Sequence, residues 1–281
     1  MDLKPGFEMF YYIYSLMEIH CRGNSIYHGG ARQVGRVGGF EGLRVMDLRG
    51  YAKCVSINLI LMLVVFYVVL NSIGYAWTGQ LYPEGSGFRL DFLTGGLENQ
   101  IPLVPEFVLF YVYLFYPFAL ITMLFFGFVE CRRGHALGLA LVFINAIALV
   151  VYVALPVSTY WWRQEYLGGQ LATGFWADQV YSIWSSDTSF NCFPSLHAAV
   201  STICFYAWHR YRVADPTFAK RLSEAAALFV AFGVILSTLF IKQHYVADEI
   251  AGIILALLVG RITFRKLWDG DDPKLNETRE V

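Results

Sequence analysis

Apolar residues in this chain do not alternate with polar ones. They come in long blocks, and the polar residues collect in the gaps between them. "VSINLILMLVVFYVVLNSIGYA" (55–76) is one such block, and 104–128, 136–157, 222–241 and 248–264 are others. A helix needs about 20 mostly apolar residues to cross a bilayer, with some allowance for tilt and mismatch. A sixth stretch, 194–209, is shorter and more polar, and taken alone it reads as a core helix. The pattern predicts an all-α integral membrane bundle of six transmembrane helices over 51–266. Residues 1–50 read as a cytoplasmic or interfacial segment and 267–281 as a polar cytoplasmic tail. Phe7–His20 is apolar but carries Glu8 and Glu18, and it lacks a basic leader and a small-residue cleavage site. It reads as a short interfacial helix and not as a signal peptide.

Charge decides whether the sixth stretch spans. Cytoplasmic loops are enriched in Lys and Arg. With six spans and both termini cytoplasmic, all but Arg89, Arg163 and Lys242 of the 21 basic residues fall inside. With five spans, Arg210–Arg221 would face away from Arg132, or the last helix would invert. Composition agrees with the membrane reading: 57% of residues are hydrophobic and only 15% charged, where a soluble domain carries about 25%. The net charge of −1 gives no basic field that would attract nucleic acid. The five cysteines include no C-x-x-C pair and no zinc spacing.

The same topology sorts the histidines. His20, His28, His135 and His209 fall inside, while His197 and His244 fall at the outer face with Asp248 and Arg163. His244 and Asp248 are four apart and can touch on a helix face. A carboxylate on one imidazole nitrogen fixes the tautomer and strengthens the other nitrogen as nucleophile or base. His197 sits in the first turn of a helix opened by Pro194, where Ser195 and free N–H groups form an anion site. A histidine there can hand a proton to a leaving oxygen. Arg163, after "VSTYWW", reads either as an interfacial anchor or as a phosphate-binding guanidinium. Lys242 reads as a similar anchor or as a second cation. Cys192 reads as a free thiol with no role. The inventory lacks the donor cluster of a metal cage and suits metal-independent phosphoryl transfer with no cofactor.

These residues resemble the type 2 phosphatidic acid phosphatase superfamily. Its pattern has three pieces, K-x6-R-P, P-S-x-H and S-R-x5-H-x3-D. "PSLH" (Pro194–His197) matches the second. Ser237 and "HYVAD" (His244–Asp248) match the third in spacing, and "TYWWRQ" places Arg163 at the arginine of the first. The resemblance covers roughly Leu103 to Ile262 and is closest to the branch holding the inositol phosphorylceramide synthases. It implies His244 as nucleophile, Asp248 as its orienting carboxylate and His197 as acid to the leaving alkoxide. Ser195, its neighbouring N–H groups and Arg163 would hold the phosphate, with Ser237 at the substrate side. Thr238 stands where the pattern has arginine, Pro156 where it has lysine and Gln164 where it has proline. Lys242, one turn on from Thr238, is the candidate replacement cation.

The function expected is a lipid phosphatase or phosphotransferase at the outer membrane face, acting through a phosphohistidine. The synthase-like alternative moves a phospho-headgroup to a lipid alcohol. Two readings from other classes stay open: a proton-coupled transporter using the His–Asp pair, and an inactive lipid-binding relative. Transport sites usually lie near the membrane midplane, whereas these polar residues cluster at one boundary.

Overall fold

The computed structural model describes residues 48–168, 173–214 and 216–267. The expected interfacial helix at Phe7–His20 and the polar tail beyond Leu267 lie outside them. No strand occurs among the described residues. The helices are α1 (48–79), α2 (Pro105–Val129), α3 (Cys131–Ala154), α4 (Tyr160–Leu167), α5 (Phe175–Ser186), α6 (Leu196–Ala214), α7 (Phe218–Phe240) and α8 (Val246–Leu267). Thr217 caps α7 by accepting from the Lys220 N–H. Short connections join α2 to α3 and α7 to α8, and α6 packs against α7.

Four helices are long and apolar enough to cross a membrane by length and composition: α1 over Gly50–Gly79, α2, α3 over Arg133–Ala154, and α7. The six expected spans thus reduce to four by this measure. The other two, α6 and α8, have 19 and 22 residues, or roughly 28 and 33 Å at 1.5 Å per residue. They fall short in composition, not in length. The reason for α6 is its place in the bundle. Leu196, Ala199, Val200, Ile203, Cys204 and Ala207 face the core, and Ala198, Ser201 and Thr202 on its other faces are also buried. A helix enclosed by protein needs no lipid-facing apolar surface. By contrast, α8 exposes Ile250, Ile254, Leu257, Leu258 and Ile262 along one side, at helical spacing. Its charged residues lie at its two ends.

One core joins the bundle, with Met62 and Phe66 of α1, Phe115 of α2, Leu137 and Ile144 of α3, Val234 of α7 and Phe264 of α8 packed around α6. Small residues let α6 and α8 approach closely. A Cβ on Gly252 would lie 2.4 Å from the Ser195 carbonyl oxygen, and one on Gly260 would lie 2.6 Å from Ile203. The Gly252 contact sets the first turns of the two helices side by side. At the opposite end, a disulfide between Cys54 and Cys131 ties α1 to α3. The 80–104 loop, α4 and α5 fold over the end where α6 and α8 begin. Phe88 pairs with this end through backbone bonds to Pro156 and Ser158.

Candidate active site

The short turn between α7 and α8 carries His244, and every side chain from Lys242 to Tyr245 is tied down. The Lys242 ammonium donates to the carbonyls of Glu98 and Ile101. Gln243 accepts from Arg163 at 2.6 Å. The Tyr245 hydroxyl donates to the Ser158 carbonyl at 2.8 Å, and its ring packs on Trp162. The backbone is held as well, since the Gln243 and His244 N–H groups both donate to the Thr238 carbonyl. Lys242 itself takes a left-handed φ of 59° to make the turn. Glu98, also buried, accepts from the Val246 N–H and so caps α8 from the 80–104 loop.

His244 Nδ1 lies 3.0 Å from the Cys192 carbonyl and 3.4 Å from Asp248 Oδ2. Both of these groups can only accept, so Nδ1 carries the proton and Nε2 keeps its lone pair. The Tyr245 N–H donates to the same Asp248 oxygen at 2.8 Å and fixes the carboxylate. Burial alone would lower the imidazole's pKa. The Asp248 bond, with Glu249 and Asp187 nearby, outweighs it and holds His244 above its ordinary value.

The His197 ring centroid lies 6.1 Å from that of His244. His197 stacks on Tyr111 at 4.2 Å and packs against Phe115, and its buried Nε2 has no protein partner. The preceding Ser195 accepts from the Ala198 N–H and caps α6, while its own N–H donates to the Asp248 carbonyl. No protein acceptor faces the N–H groups of Leu196 and His197. They are the open donors that a helix start presents to an anion.

The two histidines stand at the polar end of a cavity of about 680 Å³ between α1, α2 and the start of α6. Leu63, Phe66, Phe115, Leu120 and Met123 line its apolar length, and Asp187, Asn191, His197 and His244 its polar end. Twelve residues of helix separate the levels of Tyr111 and Met123, roughly 18 Å.

Not every expected residue reaches this cavity. Arg163 donates through Nη1 to the Trp184 and Asp187 carbonyls and through Nη2 to the Thr188 carbonyl and Gln243. Only its Nε–H is left without a partner. Those four Nη–H donors are committed to protein acceptors. The Lys242 ammonium likewise points to the carbonyls of Glu98 and Ile101. Ser237 donates to the Val234 carbonyl inside α7 and does not line the cavity. No Lys or Arg does so among the described residues.

Three further residues belong to the site. Asp187 lines the cavity, and burial raises its pKa, partly offset by Arg163 and His244. Asn191 lines it too. Glu249 lies buried beside Asp248, within electrostatic reach of His244, Ser195 and Thr238. Its place next to Asp248 in the sequence was the available signal, whereas Asp187 and Asn191 sit in a loop whose path no periodicity reveals. Cys192, His244 and Asp248 bring donor atoms within 4.8 Å of one another. The Cys192 thiol donates to the Ser189 carbonyl at 3.2 Å, and His244 Nδ1 bonds the Cys192 carbonyl and Asp248. The trio reads as a hydrogen-bonded cluster.

A model of the PAP2 superfamily matches residues 87–262. The chain belongs to the PAP2 superfamily. That match contains α2 to α7 and the first three quarters of α8, and with them both histidines and Asp248. Membership supports a phosphatase- or phosphotransferase-type function. No curated protein and no solved structure matches the chain.

Proposed function

We propose that this PAP2 protein is an integral membrane lipid phosphatase or phosphotransferase working through a phosphohistidine. One observation carries the proposal. The unprotonated nitrogen of His244, with Nδ1 held by a carboxylate and a carbonyl, shares the polar end of an apolar cavity with the unpartnered nitrogen of His197. A lipid's chain suits the apolar length and its phosphate the polar end. His244 Nε2 attacks phosphorus and the bond to the leaving oxygen breaks. His197 gives that oxygen its proton. In the second half, water or an alcohol loses its proton to His197, its oxygen bonds phosphorus, and the P–N bond breaks. The N–H groups of Leu196 and His197 take the charge that develops on the phosphoryl oxygens.

The absence of Lys and Arg from the cavity wall favours a phosphodiester, with one negative charge, over a monoester. It fits the branch that moves a phospho-headgroup to a lipid alcohol, as the inositol phosphorylceramide synthases do. The reading places α6 and α8 as the fifth and sixth spans. The exposed apolar side of α8 and the enclosure of α6 support this. It places the site on the outer face, by the positions of the basic residues. The Cys54–Cys131 disulfide lies at the end assigned to the cytosol, where such pairs are rare. The basic residues, spread over every inner segment, support the outer-face reading more broadly.

The test is turnover of phosphatidic acid and phosphatidylglycerol by purified protein in detergent, beside His244→Ala. Faster turnover of the diester, abolished by His244→Ala, is expected. Equal turnover by the variant would overturn the proposal.

A further inference from the structure

We infer that Phe88, Phe92, Leu93 and Leu97 seat the 88–97 segment in the bilayer surface, and that this seat holds the turn carrying His244 at headgroup level. The seat itself goes beyond the phosphoryl-transfer reading, and its effect on turnover rests on that reading.

The segment stands at the membrane boundary. It leads within a few residues into α2, and the Val104 N–H donates to the carbonyl of Phe240, the last residue of α7. Both helices are among the four long and apolar enough to cross a membrane. A loop facing water at that level would turn polar side chains outward. This one does the opposite: Phe92 is 71% exposed, Leu93 59%, Phe88 54% and Leu97 45%. Their neighbours hold them there. Leu90 packs with Val157, Trp162 and Tyr245, and Glu98 is buried. The Phe88 backbone is bonded to Pro156 and Ser158, and the Thr94 hydroxyl donates to Glu98. The short turn Asp91–Thr94 also packs against α8, whose exposed apolar side begins at Ile250, roughly 6 Å along the helix from Val246. The outward apolar residues thus lie at the level where that flank begins. Apolar side chains held outward at such a level bury themselves at the boundary of headgroups and acyl chains.

The inner side of the same segment is bonded to the turn between α7 and α8. The Lys242 ammonium donates to the Glu98 and Ile101 carbonyls, and Glu98 Oε1 accepts from the Val246 N–H at 3.1 Å. Lys242 and Val246 flank His244 on its two sides. Asn99 accepts from the Trp162 indole, and Trp162 packs on Tyr245, the residue after His244. A segment seated in lipid on one side and bonded to this turn on the other fixes the depth of His244. At that depth it meets a phosphate whose acyl chains remain below.

The experiment reads depth first. Protein with Leu93→Cys or Gln100→Cys carries a nitroxide spin label and is reconstituted in phosphatidylcholine vesicles, and unsubstituted protein treated alike gives the background. Power saturation compares collisions with oxygen, which concentrates in lipid, and with a nickel chelate, which stays in water. The Leu93→Cys label should favour oxygen and the Gln100→Cys label the chelate. Chelate access at both sites overturns the inference. So does shielding of the Leu93→Cys label from both agents, the result a protein partner or a second copy would give. Turnover is read second. The double variant Phe92→Ser/Leu93→Ser should lose about tenfold with phosphatidylglycerol in vesicles, the scale of one apolar side chain withdrawn from lipid. It should keep the wild-type turnover of an aryl phosphate, which needs no bilayer. Unchanged turnover of the vesicle lipid, or equal loss with both substrates, overturns the positioning of the turn. Absence of turnover by the wild-type protein with either substrate overturns the phosphoryl-transfer reading instead, and the depth of the Leu93→Cys label still decides the seat.

Discussion

The Arg163 Nη2 donates to Gln243 Oε1 at 2.6 Å, and Gln243 precedes the proposed nucleophile in the chain. The guanidinium therefore bridges the 184–188 loop and the turn that carries His244. On the proposed reading it acts on the reaction through position. Arg163→Ala should lower kcat by roughly 10- to 100-fold with little change in KM, the scale of one or two lost charge-assisted bonds. Gln243→Ala should reproduce part of that loss, and the double variant should lose less than the sum of the two. Steady-state kinetics of the three variants checks this. A rise in KM at unchanged kcat would restore the phosphate-clamp role.

His244 must be unprotonated to attack, and its pKa is raised above the ordinary histidine value. Activity should therefore fall as pH drops through that raised value. The carboxylates facing His244 are Asp248, Glu249 and Asp187, and they hold the proton on. Asp248→Asn removes the bonded one, so imidazolium becomes less stable and the acid limb should move to lower pH. Peak turnover should still fall by roughly 10²–10⁴-fold, because the imidazole loses its orienting charge. The kcat–pH profile of both proteins tests the pair. An acid limb that stays in place in Asp248→Asn would remove His244 as the titrating group.

His197 matters in proportion to the leaving group. His197→Ala should cost about 10²–10⁴-fold with a lipid ester, whose alkoxide needs a proton. With an aryl phosphate, whose leaving oxygen is stable as an anion, much of that loss should return. His244→Ala should show no such return. The comparison is turnover of the two variants with both substrates, and equal recovery would break the division of roles.

Much of this was legible in the sequence, for physical reasons. The apolar blocks announced the helices because a bilayer or a bundle core demands them. "PSLH" and "HYVAD" announced the histidine pair because helix geometry fixes their spacing. The partners of the cations were not legible. Composition shows that Arg163 and Lys242 lie at the site's level, but not which carbonyls take their hydrogens. Those carbonyls, on Trp184, Asp187, Thr188, Glu98 and Ile101, lie at the end of α5 and in the connections around it and before α2, whose paths no periodicity describes. Asp187 and Asn191 escaped for the same reason. α6 was read as short and polar, and its enclosure by the bundle explains why it can be both.

Sidedness is open to direct measurement. Cys192 is buried and Cys131 is disulfide-bonded, so neither native thiol is a reporter. Gln100 and Ala219 are exposed near opposite ends of the bundle. A membrane-impermeant thiol reagent applied to intact cells should label Gln100→Cys and spare Ala219→Cys. The reverse result would place the site in the cytosol.

The central claim is a phosphoryl group carried by His244. Purified protein mixed briefly with radiolabelled phosphatidic acid or phosphatidylglycerol and quenched in alkali should retain acid-labile label. Peptide mapping should locate it on His244. His244→Ala should carry none, and His197→Ala should still label with an aryl phosphate donor. Label on any residue other than His244, or undiminished label in His244→Ala, would contradict the account.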